Sequence, residues 1–516
     1  MLNLSKSLKI ILILPLLLGT VSAPFASTSS NQTHTSTGLV ELAEERPSQQ
    51  LEVIVQKVGI SQQAESYVVQ LGGTVIKDLP MINAFSAEIT AEGAIQLANL
   101  PFVRWISVDA PMVKTNCEDC IDTANLGSFY VQAIGADLLW NQTPYLQGQG
   151  IAVAVIDSGI NDGHQDLADS NGMTRVIADV NLSSITNNQK DKYGHGTHIA
   201  GIIGGNGYHS DGKYTGVAPK VNLINVKVCD DQGEATTSDV VDGLQWVLEN
   251  KDIYNIRLVN LSLNSTMAES YHTSPLDAAL EILWFNGIVV VVSAGNSGID
   301  MGNGVLFPPA NDPFIITVGA IDDQGTPSTV DDMLASYSAY GITTDGFSKP
   351  DIVAPGTNII SLLPNPKGEL WKEHRENLVK DTNPVAHYFR MSGTSMASAV
   401  TAGAVALLLQ DEPNLNPDQI KFRLMSTAHE FGAGSGAGYL DVYDAVTSDS
   451  SQSANLGTTI SQLLWTGTDP LTYGSVNWGS VNWGSVNWGS VNWGTVNWGA
   501  VNWGATIWGS DYWPDQ

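Results

Sequence analysis

The stretch Val153-Ala154-Val155-Ile156-Asp157-Ser158-Gly159 is an aliphatic run that ends on a carboxylate, a hydroxyl and a glycine. Strands buried on both faces read this way, without the polar alternation of a half-exposed sheet. Similar runs recur at 223–228, 258–262 and 288–293, with helical stretches at 236–249, 275–286 and 396–410. Strands alternating with helices predict an α/β fold, a mostly parallel buried sheet with helices on both faces, over residues 113–446. Reactive groups in such folds gather at the carboxyl ends of strands, and Asp157 stands at one. Taken alone, an Asp there is as readily a turn or cap residue.

Two further motifs change that balance. In Gly194-His195-Gly196-Thr197-His198-Ile199-Ala200-Gly201, glycines flank a histidine where a helix should begin. They let the backbone approach the ring closely. His195 and His198 are three apart, but no third ligand lies nearby in sequence and the H-E-x-x-H spacing is absent, so a zinc reading is set aside. In Met391-Ser392-Gly393-Thr394-Ser395-Met396-Ala397, a serine opens an apolar helix, where backbone N–H groups can face an incoming oxyanion. Alone it would be an N-cap. Together the three form an Asp…His…Ser series, each member at a strand–helix junction. Serine needs a base to become a nucleophile. Imidazole, with a pKa of about 6.5, can be that base. A carboxylate fixes its tautomer and stabilises the imidazolium. The chain order differs from the Ser…Asp…His order of α/β-hydrolases.

On these motifs the chain resembles the subtilisin-like serine proteases, or subtilases, over roughly 150–445. The resemblance implies a serine endopeptidase with Asp157, His195 and Ser395 as catalytic residues and protein or peptide substrates. A fourth match, Ser293-Ala294-Gly295-Asn296-Ser297-Gly298, implies that Asn296 donates to the oxyanion. Ser262, Leu263 and Asn264 resemble the strand that pairs with substrate. The family commonly has glycine where Asn264 stands, so a side chain there would narrow the primary specificity pocket. Phe307-Pro308-Pro309-Ala310 and the segment 349–356 are also similar to family segments. Ala399 and Thr401 replace a usual Pro and Val inside the helix, which should alter packing and not chemistry. A charged insertion at about 365–388 is either a surface lobe near the cleft or a solvated loop.

The flanking segments extend the reading. Residues 1–26 have a secretory layout: Lys6 and Lys9, an apolar stretch to 18 broken by Pro15, then small residues at 21–23 and Ala26. The stretch is too short to span a bilayer comfortably, and no other segment reads as a membrane span. The chain is therefore expected to be secreted, with cell-surface association open. Residues 27–50 are rich in Ser, Thr, Gln and Asn and read as a linker. Residues 51–112 read β-α-β-β-α-β, a small ferredoxin-like α+β unit, with Ala64, Tyr67, Val68 and Leu71 on one helical face. By resemblance, 27–112 holds the linker and an inhibitory propeptide, a partner of its own mature enzyme. Residues 447–474 read as a second linker. In 475–516, Ser-Val-Asn-Trp-Gly recurs with variations and places tryptophan at 478, 483, 488, 493, 498, 503 and 508. Units this short cannot each bury an indole, so the tail stacks on itself, on a neighbour or on a ligand such as cell-surface polysaccharide, or is displayed in disorder.

Composition bounds the alternatives. The 516 residues carry a formal charge of −29, with 52 acidic against 23 basic side chains. Such a surface repels nucleic acid and anionic membranes. Cys117, Cys120 and Cys229 are too few for a disulfide framework or a four-cysteine metal site. The C-E-D-C pair suits a local disulfide or, in a thioredoxin-like context that is not visible, a redox motif. The chemistry needs no cofactor. Structural calcium is possible by resemblance, its ligands unknown; Asp230-Asp231 and Asp322-Asp323 would permit it without matching a dedicated loop. Two rival functions stand beside the protease: an esterase using the same three side chains, and a surface-binding or self-associating protein whose Trp repeats dominate.

Overall fold

A computed structural model describes residues 34–35, 39–40, 42–43, 46–110, 120–298, 304–363, 368–379 and 386–464. The secretory stretch 1–26, Cys117 and the repeat tail 475–516 lie outside the described residues. The chain divides into two compact units, 1–117 and 118–516.

The smaller unit contains β1 (Gln50–Lys57), α1 (Gln63–Gln70), β2 (Thr74–Leu79), β3 (Ala84–Thr90), α2 (Ala91–Ala98) and β4 (Val103–Val108). The sheet order is β2-β3-β1-β4, and every pairing is antiparallel. This is the split β-α-β plan expected from the sequence. Ala64 and Val68 on α1 are buried in its core, with Tyr67 and Leu71 packed at the edge. Thr90 caps α2 by accepting from the Gly93 N–H at 3.1 Å. Leu39, inside the segment read as a linker, is fully buried in the same core. The polar composition around it masked that one apolar anchor.

The larger unit is built on an eight-stranded sheet. Its strands are β5 (Ala152–Asp157), β6 (Val176–Asn181), β7 (Asn222–Lys227), β8 (Ile256–Leu261), β9 (Val289–Ser293), β10 (Ile316–Asp322), β11 (Met333–Leu334) and β12 (Ile352–Pro355). The order is β11-β10-β9-β8-β5-β7-β6, with β12 also on β10, and only the β10–β11 pair is antiparallel. Every residue of β5 and of β9 is buried, as their aliphatic runs require. Each valine or isoleucine among them contributes about 1.5–3 kcal/mol on burial. Helices α3 (His195–Gly204) and α6 (Thr394–Asp411) pack on each other and on the sheet, as do α4 (Thr237–Tyr254) and α5 (Pro275–Phe285). The fold is the mostly parallel, helix-covered α/β fold anticipated. Among the described residues, no helix is long and apolar enough to cross a membrane.

Within the charged insertion, the described residues form regular structure. It holds a helix, Glu369–Glu373, and a strand, Leu378–Val379, which joins Tyr388–Met391 and Ile359–Leu362 in a small antiparallel sheet. Leu370 is buried, and the N–H groups of Glu369 and Leu370 donate to the carbonyls of Lys192 and Tyr193. The lobe thus sits against the chain that leads into His195.

Candidate active site

Parallel strands put their carboxyl ends on one edge, and register decides which residues meet there. Ile156 pairs with Leu261 and Leu261 with Val292, so Asp157, Ser262 and Ser293 leave β5, β8 and β9 side by side. His195 is the first residue of α3 and Ser395 the second of α6.

Asp157 and His195 are both fully buried. His195 Nδ1 lies 2.9 Å from Asp157 Oδ2 and 3.1 Å from Oδ1. A carboxylate can only accept, so Nδ1 carries the proton and Nε2 keeps its lone pair. The glycine after His195 is obligatory: a Cβ on Gly196 would fall 2.2 Å from the Gly159 carbonyl oxygen and 2.7 Å from Asp157 Oδ1.

Asp191, four residues before His195, holds the helix end in place. Its Oδ1 accepts from the Gly194 N–H at 2.7 Å; its Oδ2 accepts from the Thr197 N–H at 2.9 Å and the Thr197 hydroxyl at 2.7 Å. Burial, first of all, pushes its carboxyl above the ordinary range, and nearby Asp157 pushes the same way. The Ser158 hydroxyl lies between the two carboxylates, 3.1 Å from Asp157 Oδ1 and 3.0 Å from Asp191 Oδ1, and accepts from the Gly196 N–H. Lys227 pairs in register with Asp157 and is fully buried; its Nζ donates to the Ser158 carbonyl at 2.5 Å. A buried lysine therefore anchors the segment whose hydroxyl lies between the two carboxylates. Sequence reading missed both Asp191 and Lys227. Asp191 had a local signal, an acceptor just ahead of a helix start. Lys227 was hidden inside Val226-Lys227-Val228.

Ser395 is buried but for 5% of its surface. Its helix end is clamped to β8 and β9. The Ser262 hydroxyl meets Ser398 Oγ at 3.0 Å and the Ser395 carbonyl at 3.4 Å. The Gly295 N–H donates to Thr394 Oγ1 at 3.1 Å. Asn296 Oδ1 accepts from the Thr394 N–H at 2.8 Å and the Thr394 hydroxyl at 2.9 Å. With Oδ1 occupied, the amide NH2 of Asn296 faces away from Thr394. It lies beside Gly393, where a Cβ would come within 3.1 Å of Nδ2. Asn264 is 9% exposed and donates to Ser293 Oγ at 3.2 Å, bridging the ends of β8 and β9, while Leu263 is buried.

Other residues singled out from the sequence have structural partners. His198 Nε2 meets the Phe389 carbonyl at 3.1 Å, and burial lowers its pKa to about 3. Asp230 Oδ1 accepts from the N–H groups of Gln232 and Glu234, and Asp231 pairs with Lys192 at 2.8 Å, so this acidic pair forms a turn and an ion pair. Cys120 is disulfide-bonded and Cys229 is a buried free thiol. Thr401 turns its hydroxyl back to the Ala397 carbonyl at 3.0 Å inside an unbroken α6.

Comparison with known proteins identifies the family. The model of the Subtilase family matches residues 148–457, and a pentapeptide-repeat model matches 472–510. Serine protease AprX of Bacillus subtilis (strain 168) is 42% identical over 346 residues, 66% of this chain and 73% of that protein. Subtilisin NAT of Bacillus subtilis subsp. natto is 29% identical over 377 residues, 72% of this chain and 82% of that protein. Among solved structures, fervidolysin from Fervidobacterium pennivorans, a keratinolytic enzyme related to subtilisin, is 25% identical with a TM-score of 0.49, covering 78% of this chain and 61% of its own.

Proposed function

We propose, for a chain that belongs to the subtilase family and is therefore a serine-type endopeptidase acting on proteins, that Asp157, His195 and Ser395 carry the reaction and that the smaller unit restrains it until export. The observation that carries this reading is the fully buried Asp157–His195 hydrogen bond at the edge where α6 presents Ser395.

In this mechanism Ser395 Oγ attacks the scissile carbonyl carbon while His195 Nε2 takes its proton. Asp157 holds Nδ1–H and stabilises the imidazolium. The carbonyl oxygen becomes an oxyanion, met by the Asn296 NH2 and by the Ser395 N–H at the start of α6. The C–N bond then breaks and His195 returns the proton to the leaving amine. Water repeats the sequence on the acyl-enzyme and releases the acid. An extended substrate would pair with Ser262–Leu263–Asn264, since added strands recognise peptide backbone, which favours peptides over simple esters. No cofactor takes part in any step.

The antiparallel β2-β3-β1-β4 unit, ahead of the catalytic unit in sequence, supports its role as folding template and inhibitor. Residues 1–26 would direct secretion. The repeat tail would serve self-association or attachment to surface polysaccharide, outside the chemical step.

Expressing the Ser395→Ala chain without other proteases tests the core of this reading. It should hydrolyse no casein and should retain its N-terminal unit, whereas the wild type cleaves both casein and itself. An Ala variant that still releases its N-terminal segment under those conditions rules out self-processing by Ser395.

A further inference from the structure

Three histidines that the peptide-cleaving groups do not use converge elsewhere in the larger unit. His164 stands in the loop that leaves β5, just before the short turn Gln165–Leu167. His209 is in the turn Tyr208–Ser210 after α3, and His387 precedes the strand Tyr388–Met391 that leads to Ser395. One nitrogen from each lies within 4.8 Å of the other two. The rings of His209 and His387 stack at 3.6 Å, and His164 meets them edge-on at 5.1 and 6.0 Å.

Three imidazolium ions at this spacing would repel one another. Burial, the largest influence, pulls His164 down to about 4, and burial and His209 lower His387. Asp166 adds order. Its Oδ1 accepts from His209 Nδ1 at 2.5 Å, which leaves His209 Nε2 with a lone pair. The carboxylate is itself held by the Tyr388 hydroxyl at 2.5 Å and the His209 N–H at 3.2 Å. A carboxylate behind an imidazole is how proteins aim metal-binding histidines. His164 supplies the independent sign: its side chain is 5% exposed and its Nε2 is buried without a hydrogen bond. An orphaned polar nitrogen of this kind costs about 1–3 kcal/mol, which a ligand would recover. The His164 Nδ1 lies 3.3 Å from the Asp166 N–H and 3.6 Å from Asp166 Oδ1, so a metal on Nε2 requires the Nδ1–H tautomer facing that carboxylate.

We propose that His164, His209 and His387 bind one divalent transition-metal ion, zinc by its chemistry, at a structural site. Three neutral imidazoles suit zinc and its neighbours, while calcium and magnesium demand oxygen ligands. Zinc–nitrogen bonds of about 2.0–2.1 Å in a tetrahedron place the nitrogens about 3.4 Å apart. The cluster must therefore close by roughly an ångström, and the more exposed ring of His387 can shift to do so while Asp166 holds His209. Water or an Asp166 oxygen completes the shell. The ion would tie together the segment after Asp157, the segment after α3 and the strand before Ser395, and so brace the three pieces of chain that carry the triad.

The test uses the tag-free, full-length Ser395→Ala chain, dialysed against micromolar zinc and analysed for metal by mass spectrometry. We expect one zinc per chain at this site. Cobalt(II) should give the visible absorption of a tetrahedral nitrogen site, and zinc should raise the melting temperature. His387→Ala and the milder His209→Gln should abolish all three effects, and Asp166→Asn should weaken binding about 10–100-fold. His429→Ala, which alters the separate exposed group His429, Asp441 and Asp444, should leave them intact. Absence of bound zinc in the parent chain overturns the proposal, and so does undiminished zinc and cobalt absorption in folded His387→Ala or His209→Gln protein.

Discussion

Replacing Asp191 with alanine probes whether the helix cap positions His195, the proposed base. The side chain accepts from two backbone N–H groups of the first turn, those of Gly194 and Thr197, and from the Thr197 hydroxyl. Alanine leaves both N–H groups buried without an acceptor, at about 1–3 kcal/mol each. Against this, it removes a desolvated carboxylate that faces Asp157. The net loss should be about 3 kcal/mol, somewhat above the usual ~1 kcal/mol for a cap. Unfolding entropy of about 2.1 cal/mol/K per residue, over a unit of about 300 residues, converts this to a fall of roughly 5 °C. Melting is best followed in a Ser395→Ala background, which removes self-digestion. In the active enzyme, His195 is the first residue that this turn positions, and a shift of about an ångström can cost up to ~10²-fold in rate. kcat should therefore fall about 10–100-fold with KM nearly unchanged, and Asp191→Asn, which keeps one acceptor, should recover part of it. If Asp191→Ala melts within about a degree of its parent and turns over at full rate, the cap does not position His195.

Asn296→Ala should lower kcat by about 10²–10³ with little change in KM; that magnitude is the one known for an oxyanion donor in subtilisin itself and is carried over, not worked out from these distances. Asp277 is fully buried, and burial, with Asp312 next in effect, holds its carboxyl far above the usual range. The folded state thus keeps a proton that the unfolded chain loses above about pH 4, so this group costs stability as pH climbs beyond that point. Asp277→Asn should match the parent near pH 4 and melt progressively higher than it toward pH 8; parallel melting curves would contradict the assignment. Truncation after residue 465 should leave kcat/KM on a short peptide within about twofold while changing sedimentation or cell-wall retention, and a folded but inactive truncation would place the tail inside the catalytic unit.

Much of the fold was legible because buried parallel strands are written as local runs. The strands β5, β7, β8 and β9 could be read within a residue or two, and so could the smaller unit except β2, which runs on to Leu79 beyond its Thr74-Val75-Ile76 run. β10 was not, since Thr317, Gly319 and Ala320 dilute its aliphatic character. β6 is an edge strand whose burial varies from residue to residue, so it shows no clear period. At the proposed site, Asp157, His195, Ser395 and Asn296 stood out in the sequence because each lies in a short motif at an element boundary. The residues that support them were not. Lys227 acts on a carbonyl 69 positions away, and only the sheet register brings the two together. His164, His209 and His387 share no spacing at all; three separate connections fold onto one another to assemble them.

The supporting residues answer a difficulty that the motifs create. His195 begins α3, and a helix N-terminus carries partial positive charge. An imidazolium formed there during proton transfer is opposed by about 0.3–1 kcal/mol, and by more where water is excluded. Asp157 offsets that opposition through its direct hydrogen bond, and Asp191 does so by taking up the N–H groups from which the partial charge arises. Burial above all raises the pKa of the Asp191 carboxyl, and the neighbouring Asp157 carboxylate adds a smaller push the same way. Lys227, brought beside β5 by strand register, holds the Ser158 carbonyl, and so the residue whose hydroxyl lies between the two carboxylates. Substituting Asp191 or Lys227 should disturb the same Ser158 segment, so double variants of the two should depart from additivity, as groups sharing one buried network do.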